Sequence, residues 1–156
     1  MSVSISNLES QPFLKGMSTR HLELLVEDSL PAEFHAGDRI LNEGGSANRF
    51  YLILEGRVEV ESSAQDSEPV SIQTLGPGDM LGCSWLFPPY SWRFDARATT
   101  HTKALCFYGT RLRKLCEENH DLGYELMKRV SEVVVKRLQS VRLKLVDHNK
   151  NLQPLE

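Results

Sequence analysis

Phe34-His35-Ala36-Gly37-Asp38-Arg39-Ile40-Leu41-Asn42-Glu43-Gly44-Gly45-Ser46-Ala47-Asn48-Arg49-Phe50-Tyr51-Leu52-Ile53-Leu54-Glu55-Gly56-Arg57-Val58-Glu59-Val60 decides the fold of this chain. Gly37-Asp38, Glu43-Gly44-Gly45 and Glu55-Gly56 punctuate it at close intervals, and short apolar runs lie between them. Turn glycines supply positive φ, and aspartates in such turns accept hydrogen bonds from nearby backbone N–H groups. Arg57-Val58-Glu59-Val60-Glu61 alternates charged and apolar residues, as a strand with one solvated face does, whereas Tyr51-Leu52-Ile53-Leu54 is continuously apolar. The same pattern runs from Glu33 to Phe107, through Val70-Ser71-Ile72-Gln73-Thr74-Leu75 and the turn Gly76-Pro77-Gly78-Asp79. An all-β body is therefore expected. The polar stretch 62–68 predicts a hairpin loop.

Helical periodicity flanks this body on both sides. Ser18 or Thr19 suits a helix cap, and Leu22, Leu25 and Val26 predict one amphipathic turn after another over 19–26. Residues 1–12 read as an N-terminal segment. After Phe107, Thr110 is placed to cap a short helix over 111–119. A longer helix over 122–147 carries Met127, Val130, Val134, Leu138, Val141 and Leu145 at helical spacing. That helix is roughly 39 Å long at 1.5 Å per residue, more than a small β-roll covers. Its distal half is expected to pair with the same helix of a second copy, giving a homodimer; packing back on its own roll is the alternative. Lys128, Arg129, Lys136, Arg137, Arg142 and Lys144 read as its solvated face.

The 156 residues suit one domain, and a net charge of −3 gives no reason to expect attraction to nucleic acid or an anionic membrane. Neither a signal peptide nor an apolar run of membrane-spanning length is present, so a cytoplasmic protein is expected. Cys83, Cys106 and Cys116 match no metal or redox spacing and read as reduced, structural thiols. His21, His35, His101, His120 and His148 are scattered with no H-x-H pair. A cupin-like metalloenzyme, a similarly shaped β-barrel, therefore stays a distant alternative, and neither a metal site nor an enzyme is expected.

The stretch 34–60, followed by Leu75-Gly76-Pro77-Gly78-Asp79-Met80-Leu81-Gly82, resembles cyclic-nucleotide-binding domains of the catabolite-activator type. The resemblance covers about 13–146. It implies a mainly β fold with flanking α elements: an eight-stranded double-stranded β-helix, or jelly roll, with an N-terminal helix and C-terminal helices. On this reading 1–12 is an N-terminal segment and 13–147 the domain, with its N-terminal helical region at 13–32, the roll at 33–108 and the helices at 110–147; 148–156 is a tail. The family's phosphate-binding cassette then falls at 82–99. In the family a short cassette helix aims backbone N–H groups at a cyclic phosphate, an Arg completes the neutralisation and a Glu accepts from the ribose hydroxyl. Transferred to this chain, the ligand set is Gly82, Cys83, Ser84, Trp85, Arg93, Asp95 and Ala96. The implied ligand is a cyclic nucleotide or a related anion, with no other cofactor.

The cassette departs from that pattern. Cys83 stands where the Glu is expected, and a thiol is a weak acceptor; losing the acceptor costs about 1–3 kcal/mol. Arg93 is the best match to the phosphate-binding Arg, but Trp92 precedes it in place of Pro, and Phe94 and Asp95 replace small residues. Asp95 can pair with Arg93 or Arg97, and Arg97 reads equally as an outward residue of the next strand. Trp85, Phe87, Tyr90 and Trp92, with Pro88-Pro89, either form a stacking pocket for another ligand or fill the old pocket and pack on Val133, Val134 or Leu138. The cassette is similar to that of small stand-alone bacterial proteins of the same superfamily. Only nine residues follow Asp147, too few for a helix-turn-helix, so no DNA binding by that route is expected. Two functions follow: a stand-alone regulatory module coupling a ligand or protein partner to the position of its C-terminal helices, or a degenerate interaction scaffold that binds no ligand.

Overall fold

The structure, a computed structural model, describes residues 3–62 and 68–152, with side chains to Asp147. Eight strands form two four-stranded antiparallel sheets: β1 (Ser29–Phe34), β2 (Arg39–Leu41), β3 (Arg49–Glu55), β4 (Val58–Ser62), β5 (Val70–Leu75), β6 (Met80–Leu81), β7 (Asp95–Ala98) and β8 (Thr102–Tyr108). One sheet has the order β1-β8-β3-β6 and the other β2-β7-β4-β5. This is the expected jelly roll. Residues 63–67, the centre of the expected hairpin loop, lie outside the described residues, and β4 and β5 on either side of them pair antiparallel.

Strand alternation explains why β3 reads as continuously apolar. Its Tyr51 and Ile53 point between the sheets, where they meet Val58, Val60, Leu75, Leu81, Ala96 and Cys106. Phe50 and Leu52 point the other way, into a second apolar layer with Leu105, Phe107 and the helices. A strand buried on both faces has no polar side to show. Phe50 lies at the centre of that second layer, stacked on Phe107 at 4.6 Å and on Trp85 at 5.6 Å.

The turn aspartates behave as their chemistry requires. The Asp38 carboxylate accepts from the His35 N–H at 2.7 Å, and that of Asp79 from the Gly76 N–H at 2.8 Å. Gly56, at φ 101, has no room for a side chain, since a Cβ there would fall 2.5 Å from the His101 carbonyl oxygen.

Among the described residues four α-helices flank the roll: α1 (Ile5–Glu9), α2 (Thr19–Glu27), α3 (Gly109–Glu118) and α4 (His120–Leu152). In α2 the Ser18 hydroxyl caps the helix by accepting from the His21 N–H. Within the N-terminal segment 1–12 a helix, α1, forms, closed by a reciprocal capping box between Ser4 and Asn7 and anchored by fully buried Leu8. Thr110 is not the cap of α3. Tyr108 holds that position, and Thr110 sits in the first turn, where its hydroxyl accepts from Arg113. At its far end α4 runs past 147 into the expected tail.

Two faces of α4 differ. Leu122, Leu126 and Val130 are buried against the roll and the other helices, with Val133 packed beside them. Val130 therefore belongs to the domain's own core and not to a free dimer face. Met127, Val134, Leu138 and Leu145 are exposed, and Val141 is half-buried. The cations are not uniformly solvated: Arg129 donates to the carbonyls of Phe13 and Lys15 at 3.1 and 2.8 Å, and Arg137 donates to the Met80 carbonyl. No helix among the described residues is long and apolar enough to cross a membrane.

Candidate functional site

The cassette begins where β6 ends. Gly82, at φ 92, turns the chain out of the sheet into a single 3-10 turn, Ser84–Leu86. The turn is clamped from α3, because the Arg113 guanidinium donates to the Trp85 carbonyl and lies over the Tyr90 ring at 4.1 Å. The Pro88-Pro89 bond is cis, and Tyr90 follows at φ 55. The chain then returns alongside the Glu43-Gly44-Gly45 turn. Trp92 donates its N–H to the Gly45 carbonyl at 2.9 Å and accepts from the Gly44 N–H at 2.8 Å, while Ala47 N–H donates to Tyr90 O at 2.7 Å.

These bonds fix which cassette side chain faces inward. Trp92 points between the sheets, is 7% exposed, and joins the inter-sheet core with Leu41, Val60 and Leu81. Arg93, the next residue, is exposed. The space left between cassette, roll and α4 is about 30 Å³. Gly82, Cys83, Ser84, Arg93, Asp95 and Ala96, six of the seven residues named for the ligand set, line it. Trp85 does not: it is fully buried in the other apolar layer, against Phe50.

The electrostatics are largely satisfied within the protein. Asp95 forms an ion pair with Arg39 at 3.0 Å and accepts from the Glu43 backbone N–H at 2.7 Å, partners the expected pairing with Arg93 or Arg97 did not include. Arg97 lies on β7 and pairs with Glu61 at 3.1 Å. Burial pushes the Cys83 thiol up, against the opposing pull of the nearby Arg137 guanidinium. Burial in turn holds Arg137 below its usual value. Of the cassette aromatics, Trp92 packs between the sheets and Trp85 in the other apolar layer, Phe87 and Phe94 are exposed, and Tyr90 carries Arg113. Val134 and Leu138, two of the expected contacts for these rings, are exposed.

Arg39 and Arg137 are the site residues that sequence reading missed. Arg137 had one available signal: it follows Val130 and Val133 at steps of three and four, which puts all three on one helix face. Among the described residues no group of three His, Cys, Asp or Glu is placed to hold a metal ion.

Comparison with known proteins agrees with this architecture. A family model described as the cyclic nucleotide-binding domain matches residues 31–119. A solved structure of a protein named as cyclic nucleotide-binding, from Geobacter metallireducens, is 31% identical with a TM-score of 0.79, covering 87% of this chain and 98% of that one. The CRP-like cAMP-activated global transcriptional regulator of Mycobacterium tuberculosis is 24% identical over 133 residues; the match takes in 85% of this chain and 58% of the regulator's length. The regulatory subunit of a cAMP-independent protein kinase A from Trypanosoma brucei is 26% identical with a TM-score of 0.68, covering 82% of this chain and 46% of that one.

Proposed function

This chain belongs to the cyclic nucleotide-binding domain family, and from that premise we propose that it is a regulatory module, not an enzyme, whose nucleotide pocket is kept shut by Trp92 and whose output is the position and pairing of α4. The observation that carries this reading is the 30 Å³ left beside Trp92. Small-molecule pockets run to about 300–1,000 Å³, so a cyclic nucleotide has no room while the indole is in place. The absence of a carboxylate at Cys83 and the engagement of Asp95 by Arg39 point the same way. The trypanosomal relative, named as cAMP-independent, supports a family member that works without cyclic AMP.

The output side of the proposal rests on α4. Val134, Leu138 and Leu145 are 40%, 67% and 57% exposed on a face turned away from the roll. Apolar side chains repeating at steps of four and seven on an open helix face suit a second copy of the same helix. A protein partner seated on that face is the alternative occupant.

Melting curves with cyclic AMP, cyclic GMP and cyclic dinucleotides, each at about 1 mM, test the closed pocket. The expected result is no change in Tm. A saturable rise with any one of them overturns the reading.

A further inference from the structure

A second cavity, of about 240 Å³, lies outside the cassette between α4, the β5–β6 turn and the N-terminal segment at Pro12-Phe13. Its floor is apolar, from Leu75, Val133 and Phe13, and its α4 side carries Arg129, Lys136 and Arg137. Two acids also line it. Asp79 is turned to its own loop, accepting from the Gly76 N–H. Glu132 stands at the solvent edge, 70% exposed and 3.9 Å from Lys136. Arg129 is itself paired with Glu125 at 3.3 Å, so the charge left on the inner wall is that of Arg137.

Two features show that this wall is not satisfied by the protein. Arg137 is mostly buried and donates to the Met80 carbonyl; Asp79 lies near enough to favour its charge, but among the described residues no carboxylate comes within ion-pair distance of it. A buried guanidinium without a carboxylate is costly, and an anion beside it removes the cost. Gln73 Oε1 and Arg129 Nε, an acceptor and a donor on opposite sides of the cavity, are buried without hydrogen-bond partners. Such groups call for a ligand that both donates and accepts.

We propose that this cavity is a binding site for a small phosphorylated, hydroxyl-bearing metabolite. The phosphoryl group sits against Arg137 and Lys136, and a hydroxyl meets Gln73. The volume accommodates a phosphoryl group with a short hydroxylated carbon skeleton. Because its walls come from α4 on one side and from β5 and the β5–β6 turn on the other, a ligand there holds the helix to the roll. Arg137 also borders the cassette space, so the two cavities share one residue.

The test uses the full chain with inorganic phosphate and ribose 5-phosphate as probes, against chloride at matched ionic strength. Ribose 5-phosphate at about 10 mM is expected to raise Tm saturably by about 3 °C or more, and phosphate by less. Lys136→Glu, at a solvent-exposed position that leaves the fold intact, and Arg137→Met are each expected to abolish the rise, while Arg93→Ala retains it. Line broadening of the probe's phosphorus resonance provides the same comparison without reference to stability. No rise above chloride, a rise that survives Lys136→Glu, or one lost with Arg93→Ala would each overturn the proposal.

Discussion

Trp92 and Gly82 are in such close contact that a Cβ on Gly82 would lie 2.9 Å from two carbons of the indole ring. The proposed closure of the pocket thus rests on the pair: the ring fills the space that a side chain at 82 would need. Gly82→Ala is expected to destabilise the protein by about 1–3 kcal/mol, from positive φ and overpacking together. Gly37→Ala is the control, because Gly37 has a similar φ of 94 with nothing within 4 Å of its Cβ position. Urea denaturation of both variants, each with and without Trp92→Ala, gives the contact energy as a double-mutant coupling. Equal losses at the two glycines would show that the ring is not held as described.

Trp92→Ala removes a buried ring and is expected to cost about 3–5 kcal/mol. The opened pocket still lacks a carboxylate at 83 and a guanidinium at 92. A response to cyclic AMP is therefore expected from the Cys83→Glu, Trp92→Arg double variant and not from Trp92→Ala alone. Calorimetric titration of the two proteins separates a blocked site from one that has lost its ligand chemistry as well.

Burial, reinforced by the neighbouring Glu117 carboxylate, pushes the Cys116 thiol up to about 11. Burial raises Cys83 and Cys106 too, against the opposing pull of Arg137 and Arg49 respectively. The unfolded chain loses these protons first, near the ordinary thiol value of 9.0, so above that pH it binds fewer protons than the native state. Stability then falls with rising pH. Denaturation midpoints are expected to show no thiol contribution from pH 7 to about 8.5 and a decline from about 9 toward 11, reduced in Cys116→Ala. A midpoint that rises across that window in wild type, or a decline of equal depth in Cys116→Ala, contradicts the assignment.

Leu138 is 67% exposed, so Leu138→Glu is expected to leave the domain's own fold intact while placing two carboxylates against each other across a paired α4. Light scattering on a sizing column should read two chains for wild type and one for the variant. A wild-type protein that stays monomeric at every concentration removes the helix-pairing proposal.

The roll was legible because its signals are local. Each turn announces itself within three or four residues, and strand faces can be read from alternation. Cassette geometry is different in kind. Whether residue 92 or 93 faces inward is a choice of one step along an extended chain, and one step flips every side chain. The Gly44, Gly45 and Ala47 bonds that decide it come from more than 40 residues earlier in the sequence. On α4 the expected apolar stripe merged two faces, Val130 on the inner and Met127, Val134, Leu138 and Leu145 on the outer. Arg137 hid between them as one more cation. At the N-terminus, Asn7 completes the capping box of α1 in place of the usual Glu or Gln, which leaves that helix with a weak signal in the sequence.

The way α4 is fastened gives it the mechanics of a stiff root and a latched tip. Up to Val130 the helix is held by burial of large apolar side chains. Beyond that its attachments include the Arg137 bond to Met80 and the Lys144 bond to the Ile72 carbonyl at 2.6 Å. Single hydrogen bonds to charged groups are worth about 1.5–3 kcal/mol, within reach of one binding event. From Val130 to Leu152 the arm is about 33 Å long at 1.5 Å per residue, so a tilt of about 5° at the root carries the tip about 3 Å. Releasing two bonds on one side of the roll thus becomes a displacement of side-chain size at the far end of the molecule.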